Sequence, residues 1–191
     1  MMKMKKVVLL FMVLVALAAC QSKQAASPVS EGNAESDEQT SYTTAIDRYL
    51  VGIGKEYTAG EHCVPARSIV AVDEQDKSDI KVWGDFWVFN YNLVGDTLKC
   101  VSGGSHPGLM HICQTANGYE VTGFDRVEDG ASYLPSAQRI FGEKYEAFHA
   151  INSNAEEREA VRAKMLSDYV KAHQLKATLY QDYGWPAQKL P

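Results

Sequence analysis

The chain has 191 residues, with 19 lysines and arginines against 24 aspartates and glutamates, and a net charge of −5 with histidine neutral. That balance argues against a nucleic-acid interface, which needs a basic footprint, and against adhesion to anionic lipid through a basic patch. Four cysteines without a CxxC spacing argue against thiol–disulfide oxidoreductase chemistry.

Lys3, Lys5 and Lys6 form a basic leader, Val7 to Leu17 is an unbroken apolar run, and Ala18 and Ala19 set two small residues before Cys20. The run is shorter than the about 20 residues a spanning helix needs. It has the layout of a secretory signal peptide, and Leu17-Ala18-Ala19-Cys20 is similar to the processing box of bacterial lipoproteins. The resemblance implies cleavage before Cys20, acylation of that cysteine on thiol and amine, and a cell-envelope protein whose membrane partner is reached through its lipid. Several acyl chains together hold firmly where one would not. Gln21, in place of an aspartate, fits sorting to an outer membrane where the cell has two. Without the three leader lysines the mature chain carries a net charge of −8.

Residues 20–41 hold one large aliphatic side chain, Val29, and no aromatic. They cannot bury enough apolar surface to offset ordering entropy and are expected to be a tether. A single domain is expected over residues 42–191.

Its first element is helical: Tyr42, Ile46, Tyr49, Leu50, Ile53 and Tyr57 form one apolar stripe. Thr44 with Asp47 offers a capping box, and the stripe itself suggests a start at Ser41. Gly52 and Gly54 either allow close backbone approach or mark the helix end, and Gly60 breaks it. Strands are expected over Val64–Val72 and Ile80–Asn92, the latter alternating apolar and mixed residues with aromatics on both faces, so that both should be covered. Gly95-Asp96 signals a turn. Thr97–Ser102 and Leu109–Thr115 follow, separated by Gly103-Gly104-Ser105-His106-Pro107-Gly108, and Asn117-Gly118 is a hairpin signal before Tyr119–Val127. One helix is then expected through Ala137, Ile140, Phe141, Tyr145 and Phe148, N-capped by Ser136. A second, capped by Asn154 with Glu157, would bury Val161, Met165, Leu166, Tyr169, Val170 and Ala172. Leu175–Pro191, with Tyr180, Tyr183 and Trp185, is expected to dock on the body.

A helix followed by an antiparallel meander, carried by Ile80–Tyr91, the Gly95-Asp96 turn and Asn117-Gly118-Tyr119-Glu120-Val121, resembles the cystatin-like and NTF2-like α+β proteins. The resemblance covers about residues 42–127 and implies a curved antiparallel sheet packed on the N-terminal helix. The two further C-terminal helices depart from the usual order. In a sheet of this kind Thr97–Thr115 runs as one bent strand and holds Cys100 and Cys113 about 40 Å apart by strand rise. A tight hairpin at the glycines would instead bring them within bridging range. Pro107-Gly108 suits a two-residue hairpin loop poorly, which favours the long strand. With Cys63 these are the three cysteines of the mature domain, an odd count.

The cluster most like a site is Ser102 to His111. An enzyme reading makes Ser105 a nucleophile, His106 or His111 its base and Asp85 or Asp125 the orienter. Against it, Pro107 spoils the Gly-x-Ser-x-Gly elbow, and adjacent Ser105 and His106 would point to opposite faces of a strand. A phosphate-cradling loop has only Lys99 nearby. His62-Cys63 and the His106/His111 pair match no familiar metal spacing, and no cofactor motif is present. Trp83, Asp85, Trp87, Phe89 and Tyr91 share one strand face and could line a pocket in a cone-shaped sheet, with Asp85 orienting the ligand; the plainer reading is core. Glu156, Glu157, Arg158, Glu159, Arg162 and Lys164 read as the solvated face of the last helix. The expected function is non-catalytic binding of a small ligand or envelope protein at Trp83, Asp85, Trp87, Phe89, Tyr91, Ser105, His106 and His111. The alternative is an NTF2-like enzyme with an Asp–His acid–base pair, Asp85 or Asp125 with His111, in an aromatic-lined pocket.

Overall fold

The computed structural model describes residues 42–191; the expected signal peptide, Cys20 and the expected tether lie outside the described residues, as does the expected start at Ser41. The fold is α+β. Helix α1 (Tyr42–Gly54) is followed by strands β1 (His62–Asp73), β2 (Ile80–Val94), β3 (Thr97–Thr115) and β4 (Gly118–Arg126). Helices α2 (Tyr133–Phe141), α3 (Tyr145–Ser153) and α4 (Ala155–Ala172) come next, and short strands β5 (Leu179–Gln181) and β6 (Gln188–Lys189) close the described chain. Strands β1 to β4 form an antiparallel meander, β5 pairs in parallel with β3, and β6 pairs with β5.

The period-two pattern of β2 gives the sheet two covered faces. Ile80, Val82, Phe86 and Val88 turn inward and pack with Ile46, Leu50 and Ile53 of α1 and with Met110 and Ile112 of β3. Each large member of this core is worth about 2–5 kcal/mol against truncation to alanine. Helix α1 ends at Gly54, six residues before the expected breaker, because Asn90 on β2 holds its end: the amide donates to the Gly54 carbonyl at 2.9 Å and to Thr58 at 3.0 Å. Gly54 is the close approach, where a Cβ would meet Cys63 and Val88; Gly52 faces open space. Asp47 pairs with Arg67 on β1.

The outer face of the sheet is covered by the C-terminal helices. Tyr91, Leu98 and Val64 pack with Leu166 and Val170 of α4 and Tyr180 of β5. Trp83 and Val70 pack with Phe141 and Phe148, whose rings stack at 4.0 Å. The single helix expected over Ala137–Phe148 is two, split at Gly142, whose φ of +51° ends α2. Ser136 lies inside α2 and does not cap it; its hydroxyl donates to Ser132 and accepts from the Glu128 N–H at 2.9 Å. The Asn154–Glu157 cap of α4 is present, with Asn154 accepting from the Glu157 N–H at 3.1 Å.

Thr97–Thr115 is one strand of 19 residues, so Cys100 and Cys113 sit far apart along it, and Cys63, Cys100 and Cys113 are free thiols. A bulge at Val101 and Gly103 supply its irregularity. Gly103 has φ +151°, and a Cβ there would meet the Val88 carbonyl. The tail docks through Tyr180, but Tyr183 and Trp185 are 96% and 69% exposed, against expectation. They lie in the loop between β5 and β6, where the short strands leave no neighbour to cover them.

Candidate functional site

The residues singled out on β2 face outward, beneath the C-terminal helices, not into the concavity that holds α1. They therefore divide among different environments. Trp83 is part of the packing around α2: its indole N–H donates to Ile140 at 3.0 Å and the Lys144 ammonium sits 4.2 Å from its ring centre. Tyr91 is buried, and its phenol pKa is raised by burial.

Asp85, Trp87 and Ser105 come together. Asp85 is fully buried, and the Ser105 hydroxyl donates to its Oδ1 at 2.6 Å. The register sets this contact, because Ser105 stands opposite Trp87 on the neighbouring strand and its side chain rises on the same face as Asp85. Arg158 comes down from α4 and places Nη2 at 3.3 Å from Asp85 Oδ2. Its guanidinium carbon lies 5.2 Å from the Trp87 ring centre. Burial raises the Asp85 pKa; the Ser105 hydrogen bond and the Arg158 charge pull the other way. Asp85 Oδ2, the Trp87 indole N–H and Arg158 Nε have no hydrogen-bond partner among the described residues.

Arg158 lines two adjacent clefts. One, of about 200 Å³, is floored by Trp87 and Phe89 and walled by Ala155, Glu159 and Arg162. The other, of about 560 Å³, runs along the edge of β3 from Gly104 to Pro107 and is walled by Arg126, Asp129, Tyr133 and Asn152. His106 reaches this second cleft from the opposite strand face, where Nε2 pairs with the Tyr57 hydroxyl at 3.0 Å. Burial lowers its pKa. Ser105 and His106 point to opposite faces, as adjacent strand residues must, and do not bond one another.

Arg158 and Arg162 correct the reading of α4 as a solvated face. Arg162 is 12% exposed in its side chain and bonds Asp182 at 2.5 and 3.1 Å and Glu159 at 3.0 Å, over the rings of Phe89 and Tyr180. The signal was present: Arg158, Arg162, Leu166 and Val170 recur every four residues, so both arginines ride the stripe that packs on the sheet.

His111 stands apart, with Nδ1 2.7 Å from Asp79, a residue the sequence did not single out, and Nε2 3.7 Å from Asp125. It lines neither of the two clefts. His62 packs edge-on to Tyr169. Among the described residues no cluster of His, Cys, Asp or Glu is arranged to hold a metal, and no helix is long and apolar enough to cross a membrane.

The arrangement presents a fixed cation above a buried carboxylate, beside hydroxyl and aromatic surface, in a cleft open to solvent. It can bind and orient, and the Ser105 hydroxyl bonds the buried Asp85 carboxylate and not His106. No protein-family model, no curated protein and no solved structure matches the chain.

Proposed function

We propose that this chain is a lipid-anchored cell-envelope lipoprotein with a cystatin-like or NTF2-like core, binding its ligand without catalysis in the cleft at Ser105 and Arg158. The address rests on Leu17 to Cys20. The core assignment draws on α1 packed against a four-strand meander. One observation carries the binding reading: Asp85, fully buried, holds Arg158 from below, so the guanidinium is fixed while its side chain stays 32% exposed to the cleft. Such a cation is pre-organised for a ligand carboxylate or other anion, because its ordering entropy is spent on folding.

The rival is acid–base chemistry at His111, which draws on the 2.7 Å pair with Asp79. His111 lines neither of the two clefts, which favours the binding reading.

The test is native mass spectrometry of the full-length chain in detergent, incubated with a small-molecule extract of the source cells. Trp87 is 2% exposed and belongs to the packing, so the diagnostic variant is Arg158→Gln. A reproducible adduct lost in Arg158→Gln supports the reading. A bare mass under every condition, or an adduct indifferent to Arg158, overturns it.

A further inference from the structure

The larger cleft has a wall made of open strand edge. Strand β3 pairs with β2 along its length, but on its other edge β4 covers only Gly108–Thr115 and β5 only Thr97–Lys99. Among the described residues no strand pairs with the stretch between. The Pro107 carbonyl points to that edge, since it accepts from the Val127 N–H at 2.9 Å. Backbone groups alternate sides along a strand, so Ser105 and Gly103 also turn their N–H and C=O to the open edge, while Gly104 and His106 face β2.

Strand edges are usually blunted by proline, lysine or a bulge. Here Pro107 blunts one end of the gap and the Val101 bulge the other, leaving the donors and acceptors of Gly103 and Ser105 between them. From Cys100 to Pro107 the opening is about 23 Å at ordinary strand rise, room for an extended segment of about six residues. A small anion could use the arginines of this cleft but not its edge. The walls choose the charge: Arg126 and Arg158 line the cleft with one lining carboxylate, Asp129, and although Arg158 meets Asp85 and Arg126 stands 3.9 Å from Glu56, their side chains stay 36% and 32% exposed, Arg126 and Arg158 in that order.

We propose that the open edge of β3 binds an extended peptide segment carrying a carboxylate, which adds as a strand beside Gly103–Ser105 and sets its charge against Arg126 and Arg158. The proposal rests on the cleft being a binding site and names its ligand class. Main-chain bonds supply affinity and the arginines supply selection.

The probe is a pool of N-acetylated hexapeptides, randomised over Val, Thr, Ile, Tyr, Gln and Glu, with free C-termini, titrated onto the full-length chain in detergent. Binding should select acidic members and slow hydrogen exchange at the Gly103 and Ser105 amides. Methylating alternate peptide nitrogens should weaken binding at least about tenfold, and Arg158→Gln about three- to tenfold. Ser105→Pro, which removes the edge N–H, should lose binding. If Ser105→Pro fails to fold, the methylated peptide and the exchange measurement decide. No binding by any member, or binding that leaves both amides exchanging as before, overturns the proposal. If an Arg158-dependent small-molecule adduct then remains, the cleft reading stands without the peptide; if neither is found, both fall.

Discussion

Arg158→Ala separates the electrostatic part of the Asp85 contact from its packing part. Breaking a fully buried pair by removing one partner costs about 3–5 kcal/mol. Arg158 is 32% exposed in its side chain and Asp85 not at all, so the pair term should fall to about 2 kcal/mol after screening. Loss of the guanidinium over Trp87 adds about 0.5–1 kcal/mol. The expected loss at neutral pH is therefore about 3 kcal/mol, or about 6–12 °C in Tm for a domain of this size. Its pH dependence carries the test. Burial raises the folded-state pKa of Asp85 above 3.8, so between that value and the raised one the folded protein holds more protons than the unfolded. Stability contributed by this group then falls as pH rises through the window. Removing the Arg158 charge raises the folded pKa further and widens the window. The penalty should be largest at neutral pH and shrink to the packing remainder, about 1 kcal/mol, near the acid end, where Asp85 is neutral in both proteins. Urea denaturation followed by tryptophan fluorescence at the two pH values measures it. Equal losses at both would refute the argument, since Arg158 would then act through packing alone.

Gly103→Ala should cost about 3 kcal/mol or more, from a strained φ and a Cβ driven into the Val88 carbonyl; a denaturation midpoint within experimental error of wild type would contradict it. Arg162→Ala strands Asp182 and Glu159 and should loosen the β5–β6 segment; limited trypsin digestion should then cut at Lys176 markedly faster than in wild type. The His106 pKa is lowered by burial, so its contribution to stability is present above about pH 6.5 and lost as pH falls through the folded value. His106→Gln should flatten that part of the stability profile, and an unchanged acid limb would rule the contribution out. Burial pushes the Cys100 thiol up to about 11, so iodoacetamide at mildly alkaline pH should label Cys100 slowly in the native protein and rapidly in urea, as read by peptide mass mapping.

The strand frame was legible because its signals are local. Alternation over Ile80–Tyr91 and the Asn117-Gly118 turn need only neighbouring residues to act, and Pro107-Gly108 argued against a hairpin for the same reason. The site was half legible. Asp85, Trp87 and Ser105 share a face that strand periodicity reveals, but their partner lies 53 residues beyond Ser105. Arg158 looked like surface because charge was read as solvent, although its spacing with Leu166 and Val170 places it over the sheet. A buried carboxylate is what makes that position favourable, and no local pattern announces it. Tyr183 and Trp185 misled in the opposite direction: aromatic content suggested docking, while only Tyr180 found a strand partner and a core.

The parallel pairing of β5 with β3 also bears on the order in which the molecule assembles. Thr97 meets Leu179 across 82 residues of chain, whereas β2 meets the end of α1 across 36, from Asn90 to Gly54. Closing the longer loop costs more entropy before any contact rewards it. The inner core around Leu50 and Phe86 is therefore expected to form ahead of the outer one around Tyr91 and Tyr180, with Arg162 and Asp182 locking last. Substitutions at Leu50 should slow folding, and those at Tyr180 should mainly hasten unfolding.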